Sequence, residues 1–443
     1  MTLPFPRMRL TVIGIGYLGL THAVCMADLG HDVLALDVDP AKVAKAASGE
    51  APFFEPGLEP LLRKNLEAGR LRFTTSYAEV GDFGEVHFLC VGTPQSADAS
   101  ADLRYVCAAV DALAPHLSRQ CLVVGKSTVP VGTARLLTTR IREHAPAGDE
   151  VELAWNPEFL REGTAVQDSL SPDRLVFGVT SSWSADRLRD AYAMPLCNGT
   201  PSLVMDLETA ELVKVAANSF LATKISFINA MAEVCEASGA DVIRLAAALA
   251  HDERIGGRFM SPGLGFGGGC LPKDIRAFRA TARALGVGSV DRFLSEVDAI
   301  NLSRRTRVTD IAREVVGGTL AGQRVAVLGV AFKPGSDDVR DSPSLAVCDQ
   351  LTREGAIVQV HDPVATGNAA LARPDLRYAE TVTEAAGGAD VVLHLTEWAD
   401  YRAIDPAALG KVVAQRNIID ARCALDDKFW RAAGWTVRIL GRA

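Results

Sequence analysis

Residues 9–19 read Arg9-Leu10-Thr11-Val12-Ile13-Gly14-Ile15-Gly16-Tyr17-Leu18-Gly19, a β-branched run that breaks into three spaced glycines before a helix-forming stretch. In a strand that turns tightly into a helix, each glycine has a task. Gly14 permits the turn, Gly16 lets a pyrophosphate approach the backbone, and Gly19 allows close helix–strand packing. The phosphates then sit at a helix N-terminus, where unsatisfied N–H groups and the dipole favour an anion. Asp37 follows about 20 residues on, at the end of a second strand-like run, where an acid hydrogen-bonds a ribose diol. It also repels a 2′-phosphate, so the stretch predicts a dinucleotide-binding α/β domain that takes NAD rather than NADP.

Working outward, β-branched runs at 33–36, 86–91, 122–124, 151–154 and 175–179 alternate with amphipathic stretches, which predicts a parallel sheet covered by helices on both faces. From Asp206 the texture changes to one long run of helix formers, with no glycine before Gly239. Asp206 reads as its N-cap, with Glu208 in an acidic first turn. A second helical run covers 291–316, and between the two lies the Gly-rich SPGLGFGGGCLPKD. Strand-like runs resume at 325–328, 358–361, 391–395, 418–419 and 437–440. The fold class is therefore α/β: two Rossmann-like doubly wound domains, 1–205 and 317–443, joined by a central helical region, 206–316.

The 443 residues are too many for one core and suit two or three domains. Lys plus Arg number 46 against 54 Asp plus Glu, and a net charge of −8 argues against a nucleic-acid partner. An anionic ligand then needs local positive charge, for which Lys214, Lys333, Arg254 and Arg340 are the candidates. Nine cysteines are scattered without CxxC repeats or zinc-ligand spacing, so no metal is expected and the thiols suit a reducing compartment. The opening MTLPFPRMRL lacks the apolar run of a signal peptide, and no stretch reaches the ~20 apolar residues of a membrane span. The expectation is a cytoplasmic protein with no membrane partner.

Five further motifs carry chemistry, each beside a plainer reading. The turns Val91-Gly92-Thr93-Pro94 and Lys126-Ser127-Thr128-Val129-Pro130 follow strands, so they either border the ligand crevice or are ordinary Pro/Gly turns. Asn156-Pro157-Glu158-Phe159-Leu160-Arg161-Glu162-Gly163 is either a solvated turn or an acid at a strand end placed for general-base work. Lys214 and Asn218, at i and i+4, share one helix face. The lysine there either snorkels or joins the amide to stabilise an oxyanion. Ala331-Phe332-Lys333-Pro334-Gly335, running on to Arg340, is either a charged surface loop or a phosphate contact.

The most informative segment is 259–274, in which five glycines lead into Cys270. A helix is expected over 272–284, so Cys270 precedes an N-terminus, where dipole and N–H groups favour a thiolate. Asp274 sits one turn on. The other eight cysteines, in apolar helical or strand contexts, read as packing residues.

Taken in order, GIGYLG, VGTP, KSTVPVGT, NPEFLREG, the Lys214/Asn218 helix, GFGGGCLPKD and FKPGSDDVRDSP resemble the UDP-glucose/GDP-mannose dehydrogenase family over nearly the whole chain. The nearest branch is the one that oxidises UDP-glucose. The resemblance implies two successive NAD-dependent oxidations of a sugar-nucleotide hydroxymethyl group, through a thiohemiacetal and a thioester on Cys270. It implies that Lys214 and Asn218 hold the oxyanion, and that Asp274, Thr128 and Glu158 position water and move protons. Gly14, Gly16, Tyr17, Leu18, Gly19, Asp37, Lys42, Thr93, Thr128, Glu162, Lys273 and Arg340 would face the cofactor. Glu158, Phe159, Leu160, Arg161, Glu162, Lys214, Asn218, Phe259, Met260, Ser261, Pro262, Gly263, Gly267 and Lys333 would line the sugar nucleotide. Arg254 would reach the partner's site across a homodimer formed by the helical middle.

The chain departs from the family pattern at Gly269, usually Ser, and in the SPG of its substrate loop. Oxidation of GDP-mannose or another nucleotide sugar is the neighbouring alternative. A non-catalytic NAD-binding regulator is the alternative of another class, and it would be expected to have lost one of Cys270, Lys214, Asn218 or Asp274.

Overall fold

The computed structural model of the chain describes residues 6–96 and 98–442; residues 1–5, part of the N-terminal segment read above, lie outside the described residues. The chain divides into two compact units, Met1–Ala217 with Arg276–Ala284 and Asn218–Ile275 with Leu285–Ala443.

The first unit is built on an eight-stranded sheet: β1 (Arg9–Ile13), β2 (Asp32–Leu36), β3 (Leu71–Thr74), β4 (Val86–Leu89), β5 (Cys121–Gly125), β6 (Val151–Trp155), β7 (Leu175–Gly178) and β8 (Ser202–Met205). Their order across the sheet is β3-β2-β1-β4-β5-β6-β7-β8. The direction of winding reverses between β1 and β4, which is where open α/β sheets bind ligands beyond their strand ends. Leu10 and Val12 enter one core with Leu20, Val24 and Phe88, whereas Ile13 enters the core on the other face with Leu36, Leu89 and Ile141. Burial on both faces accounts for the mostly apolar runs, interrupted by Thr11 in β1 and His87 in β4, each buried apolar side chain contributing about 1.5–3 kcal/mol.

The expected all-parallel sheet has one exception, the antiparallel pairing of β6 with β7 at Trp155 and Gly178. The connection between them, residues 156–174, holds the six-residue helix Ala165–Leu170. The strand expected over 86–91 ends its pairing at Leu89. β3 and β8, and the strand Arg377–Tyr378 of the second unit, were not expected from the sequence pattern.

The second unit carries a six-stranded parallel sheet: β9 (Arg324–Leu328), β10 (Ile357–His361), β11 (Arg377–Tyr378), β12 (Val391–His394), β13 (Asn417–Asp420) and β14 (Thr436–Ile439). The order β11-β10-β9-β12-β13-β14 again reverses beside the first strand.

The long helix is Leu207–Ser238, 32 residues or about 48 Å. Asp206 caps it, its carboxylate accepting the Thr209 N–H at 2.8 Å and the Thr209 hydroxyl at 2.8 Å. The helices Leu271–Ala284 and Gly288–Val315 follow.

Candidate active site

In the first unit the glycine turn is forced by close approach. Gly14 has φ +92°, and its N–H donates to the Leu36 carbonyl at 2.7 Å. A Cβ on Gly19 would lie 1.7 Å from the Gly14 carbonyl oxygen, whereas one on Gly16 would meet nothing within 4 Å. Gly16 is the N-cap of the helix Tyr17–Asp28 and brings no side-chain cap, so the open space lies where helix N–H groups lack partners. The Asp37 carboxylate accepts the Ile15 N–H at 2.9 Å and the Asp39 N–H at 3.0 Å. It therefore also shapes the turn, and each oxygen keeps a lone pair for a ribose hydroxyl. Leu18 is half-buried, and Lys42 is exposed on the helix Pro40–Ala47. These residues fit an NAD dinucleotide.

The turns after β4 and β5 are hydrogen-bonded to each other. The Thr93 hydroxyl donates to the Thr128 carbonyl at 2.8 Å, and the Ser127 hydroxyl donates to the Val91 carbonyl at 2.6 Å.

Glu158 follows β6. Its Oε1 accepts the Phe159 and Leu160 N–H groups at 2.8 and 3.0 Å, and its Oε2 lies 2.9 Å from the Lys126 ammonium. Burial pushes this carboxyl up, but the Lys126 charge and hydrogen bond, the Phe159 N–H and the Lys214 charge outweigh it and hold Glu158 below the usual carboxylate range. Lys126 was not singled out as a site residue from the sequence; its one signal is a lysine directly after the buried β5.

Phe159 carries the Arg174 guanidinium 3.9 Å from its ring centre and the Lys214 ammonium at 5.6 Å. Arg161 pairs with Asp168 in its own turn. Glu162 is close enough to Tyr17 for its charge to act on that phenol. Glu55, also missed, is buried and accepts the Gly163 and Ala165 N–H groups at 2.7 Å each, together with the Tyr17 hydroxyl. It ties the coenzyme turn to the turn at 163–165.

In the second unit Cys270 is exposed and directly precedes the helix Leu271–Ala284, whose Asp274 N–H donates to the Cys270 carbonyl at 2.9 Å. Asp274 is 1% exposed; it accepts the Asn218 amide at 2.6 Å and pairs with Lys273 at 2.9 Å. Asn218 is one turn beyond Lys214 on the long helix.

The loop before the cysteine is held by residues that sequence reasoning passed over. Asn229 accepts the Gly263 N–H at 2.9 Å, and buried Asn301 accepts the Phe266 N–H at 2.8 Å while donating to its carbonyl at 3.0 Å. Arg422 donates to the Gly265 carbonyl at 3.0 Å and the Leu395 carbonyl at 2.7 Å. The loop then presses on the segment 332–343. A Cβ on Gly267 would sit 2.4 Å from the Asp341 carbonyl, one on Gly268 2.8 Å from the Phe332 ring, and one on Gly269 2.4 Å from the Arg340 guanidinium. The Arg340 guanidinium thus fills the space that a side chain at 269 would take.

Met260, Pro262 and Gly263 are buried, while Phe259 and Ser261 are exposed, and Lys333 lies over the Phe332 ring at 5.5 Å. The expected concentration of positive charge is weaker than the sequence suggested. Arg254 pairs with Asp252 and Arg340 with Asp338, each at 2.6 Å within its own turn. The expected packing role fails for Cys197, which is exposed, whereas Cys423 does pack against a core of the second unit but from a bend with φ +53° rather than from a helix or strand.

Three consecutive stretches match descriptions of the UDP-glucose/GDP-mannose dehydrogenase family: its NAD binding domain over residues 8–195, its central domain over 208–303 and its UDP binding domain over 326–427. A UDP-glucose 6-dehydrogenase of Pseudomonas aeruginosa is 42% identical over 424 residues, covering 94% of this chain and 93% of that protein. One of Bacillus subtilis is 39% identical over 441 residues, covering 98% of each. A solved structure of a UDP-glucose dehydrogenase from Pyrobaculum islandicum superposes with a TM-score of 0.92 at 37% identity, covering 100% of both chains.

Proposed function

The chain belongs to the UDP-glucose/GDP-mannose dehydrogenase family, and on that premise we propose that it oxidises UDP-glucose to UDP-glucuronate with two molecules of NAD. The observation that carries this reading is Cys270, exposed at a helix N-terminus whose buried Asp274 is bound to Asn218. A nucleophile so placed is used for covalent catalysis. We assign residues 1–205 to NAD, 206–316 to the catalytic and dimerisation core, and 317–443 to the UDP-sugar.

Bound NAD supplies the hydride acceptor for each oxidation. Gly14, Gly16, Gly19 and Asp37 hold the dinucleotide, with Tyr17, Leu18, Lys42, Thr93, Glu162, Lys273 and Arg340 around it. Phe159, Leu160, Arg161, the 259–263 loop, Gly267 and Lys333 hold the sugar nucleotide. As the hydroxymethyl carbon loses its first hydride, its hydroxyl proton leaves through Glu158 and Asp274 to solvent. The Cys270 thiol then gives up its proton, which leaves to solvent through the site carboxylates, as its sulfur bonds to the aldehyde carbon, and Lys214 and Asn218 stabilise the resulting oxyanion. Loss of the second hydride leaves a thioester. Water positioned by Thr128, Glu158 and Asp274 attacks it, releasing the carboxylate and restoring the thiol.

A homodimer fits the long helix, where Phe220, Phe227 and Val234 are 66%, 48% and 56% exposed at seven-residue spacing and so form one apolar stripe. Arg254, exposed in its turn, would reach the partner's site. The cysteine usage fits the cytoplasm. Among the described residues no helix is long and apolar enough to cross a membrane, and no cluster of His, Cys, Asp or Glu is arranged to hold a metal.

Incubation with NAD and UDP-glucose should yield two NADH per sugar, and Cys270→Ser should abolish the carboxylate product. No NADH with UDP-glucose, or parental turnover by Cys270→Ser, overturns the reading. NADH from GDP-mannose alone would move the substrate to the neighbouring branch.

A further inference from the structure

Lys126 is 3% exposed, and burying an ammonium costs several kcal/mol unless its protons are all used. All three are. They go to the Asn156 carbonyl oxygen at 3.0 Å, the Tyr192 hydroxyl oxygen at 3.1 Å and Glu158 Oε2 at 2.9 Å. The first two partners are themselves fixed. The Tyr192 hydroxyl donates to the same Asn156 oxygen at 2.6 Å, and the Asn156 amide donates to the Val176 carbonyl at 3.0 Å. The rings of Phe88 and Tyr192 lie 5.9 and 5.7 Å from the ammonium. Two neutral partners and two rings thus hold the lysine in one direction, and the remaining proton points at a carboxylate that keeps an exposed edge of 20%.

We propose that Lys126 is the positioning residue that sets the charge and direction of Glu158, keeping it an anion able to accept a proton from water or substrate through the working pH range. The other titratable groups around the pair are Lys214, Cys25, Cys90, His22 and Tyr192. Burial lowers His22 and raises both thiols to about 12, so these three stay neutral at working pH. Tyr192 is likewise raised to about 12 by burial. Among the described residues that leaves Lys126 and Lys214 as the cations acting on Glu158, of which Lys126 touches it. Two backbone N–H groups on Oε1 and the ammonium on Oε2 fix the plane of the carboxylate, so its exposed edge is presented in one orientation.

The proposal rests on the dehydrogenase reading for its role but not for its test. In the full-length chain with 13C-carboxyl glutamate, the Glu158 resonance is identified by its loss in Glu158→Gln and then titrated. The parent should titrate below the ordinary carboxylate range. Lys126→Met should raise the midpoint by at least one pH unit, a tenfold gain in proton affinity, and Lys126→Arg should return it toward the parent. The acid limb of NADH formation should move with it. An unchanged midpoint in Lys126→Met overturns the proposal.

If Lys126→Met does not fold, the double variant Lys126→Met/Glu158→Gln decides. It should fold and turn over at the rate of Glu158→Gln, because the lysine acts only through that carboxylate. A double variant that is unfolded, or tenfold slower than Glu158→Gln, overturns the proposal. Failure of the parent to oxidise UDP-glucose instead sinks the function reading and leaves the titration to judge Lys126.

Discussion

Replacing Asn301 with alanine leaves two buried backbone groups of Phe266 without partners, since the side chain accepts its N–H at 2.8 Å and donates to its carbonyl at 3.0 Å. Orphaning a buried polar group costs about 1–3 kcal/mol, so the pair costs about 2–6 kcal/mol. At roughly 2–4 °C per kcal/mol for a unit of this size, the melting temperature should fall by at least about 4 °C. Locally, one lost bond should speed exchange of the Phe266 amide roughly 5- to 140-fold, read by hydrogen–deuterium exchange on the peptide covering 264–270. Asn301→Asp separates the bond from the packing. It keeps an acceptor for the N–H but sets an oxygen against the Phe266 carbonyl. It should therefore melt lower than the parent while its Phe266 amide stays slow. Unchanged melting and exchange in Asn301→Ala would refute the reasoning. Equally fast exchange in both variants would show that volume, not the hydrogen bond, holds the loop.

Gly19→Ala places a methyl 1.7 Å from the Gly14 carbonyl oxygen, a backbone contact that no rotamer relieves. NAD titration by calorimetry should show affinity at least tenfold weaker and melting should drop, and retention of both would mean that the turn is not held as described. Glu211, buried and accepting the Gly132 and Ala134 N–H groups, is raised from 4.5 to about 7 by burial in spite of those bonds. Because the folded form binds the proton more tightly, its stabilising contribution is full below about pH 4.5 and is lost as pH rises through about 7. Melting curves of Glu211→Gln should accordingly be flatter than the parent's between pH 5 and 8, and parallel curves would contradict the shift. Phe227→Glu puts a charge in the middle of the apolar stripe on the long helix and should convert a dimer to monomer in sedimentation; an unaltered mass would place the interface elsewhere.

The strands were legible wherever both faces are buried. In β1, β4 and β12 both faces are buried and most residues are apolar, with Thr11, His87 and His394 the buried polar exceptions, so the run is visible without knowledge of its neighbours. β8 escaped because three of its four residues, Ser202 to Val204, are exposed, so neither alternation nor a buried run marks it. β11 has two residues and gains its identity only from pairing with β10. The chemistry-bearing types were readable for the same reason that glycines were: Cys270, Asp37 and Glu158 sit at turns whose local pattern announces them. Their supports were not. Asn301 is 35 residues from Phe266, and Glu55 is 108 from Gly163. Lys126 looked like a turn residue because nothing local says that an asparagine 30 positions on and a tyrosine 66 positions on will close over it.

The contact of Gly267, Gly268 and Gly269 with residues 332–343 has an evolutionary consequence. These positions share one fixed volume, so they cannot drift independently. A serine at 269 would need the space that the Arg340 guanidinium fills, and an alanine at 267 would have to push back a carbonyl and a proline ring. Substitutions before the cysteine are therefore admissible only when paired with a retreat on the other segment. A relative that carries a side chain at the first position should carry its arginine in another rotamer or a shorter residue in its place. Changes in the two segments should therefore be paired across relatives, although some seventy residues separate them in the chain.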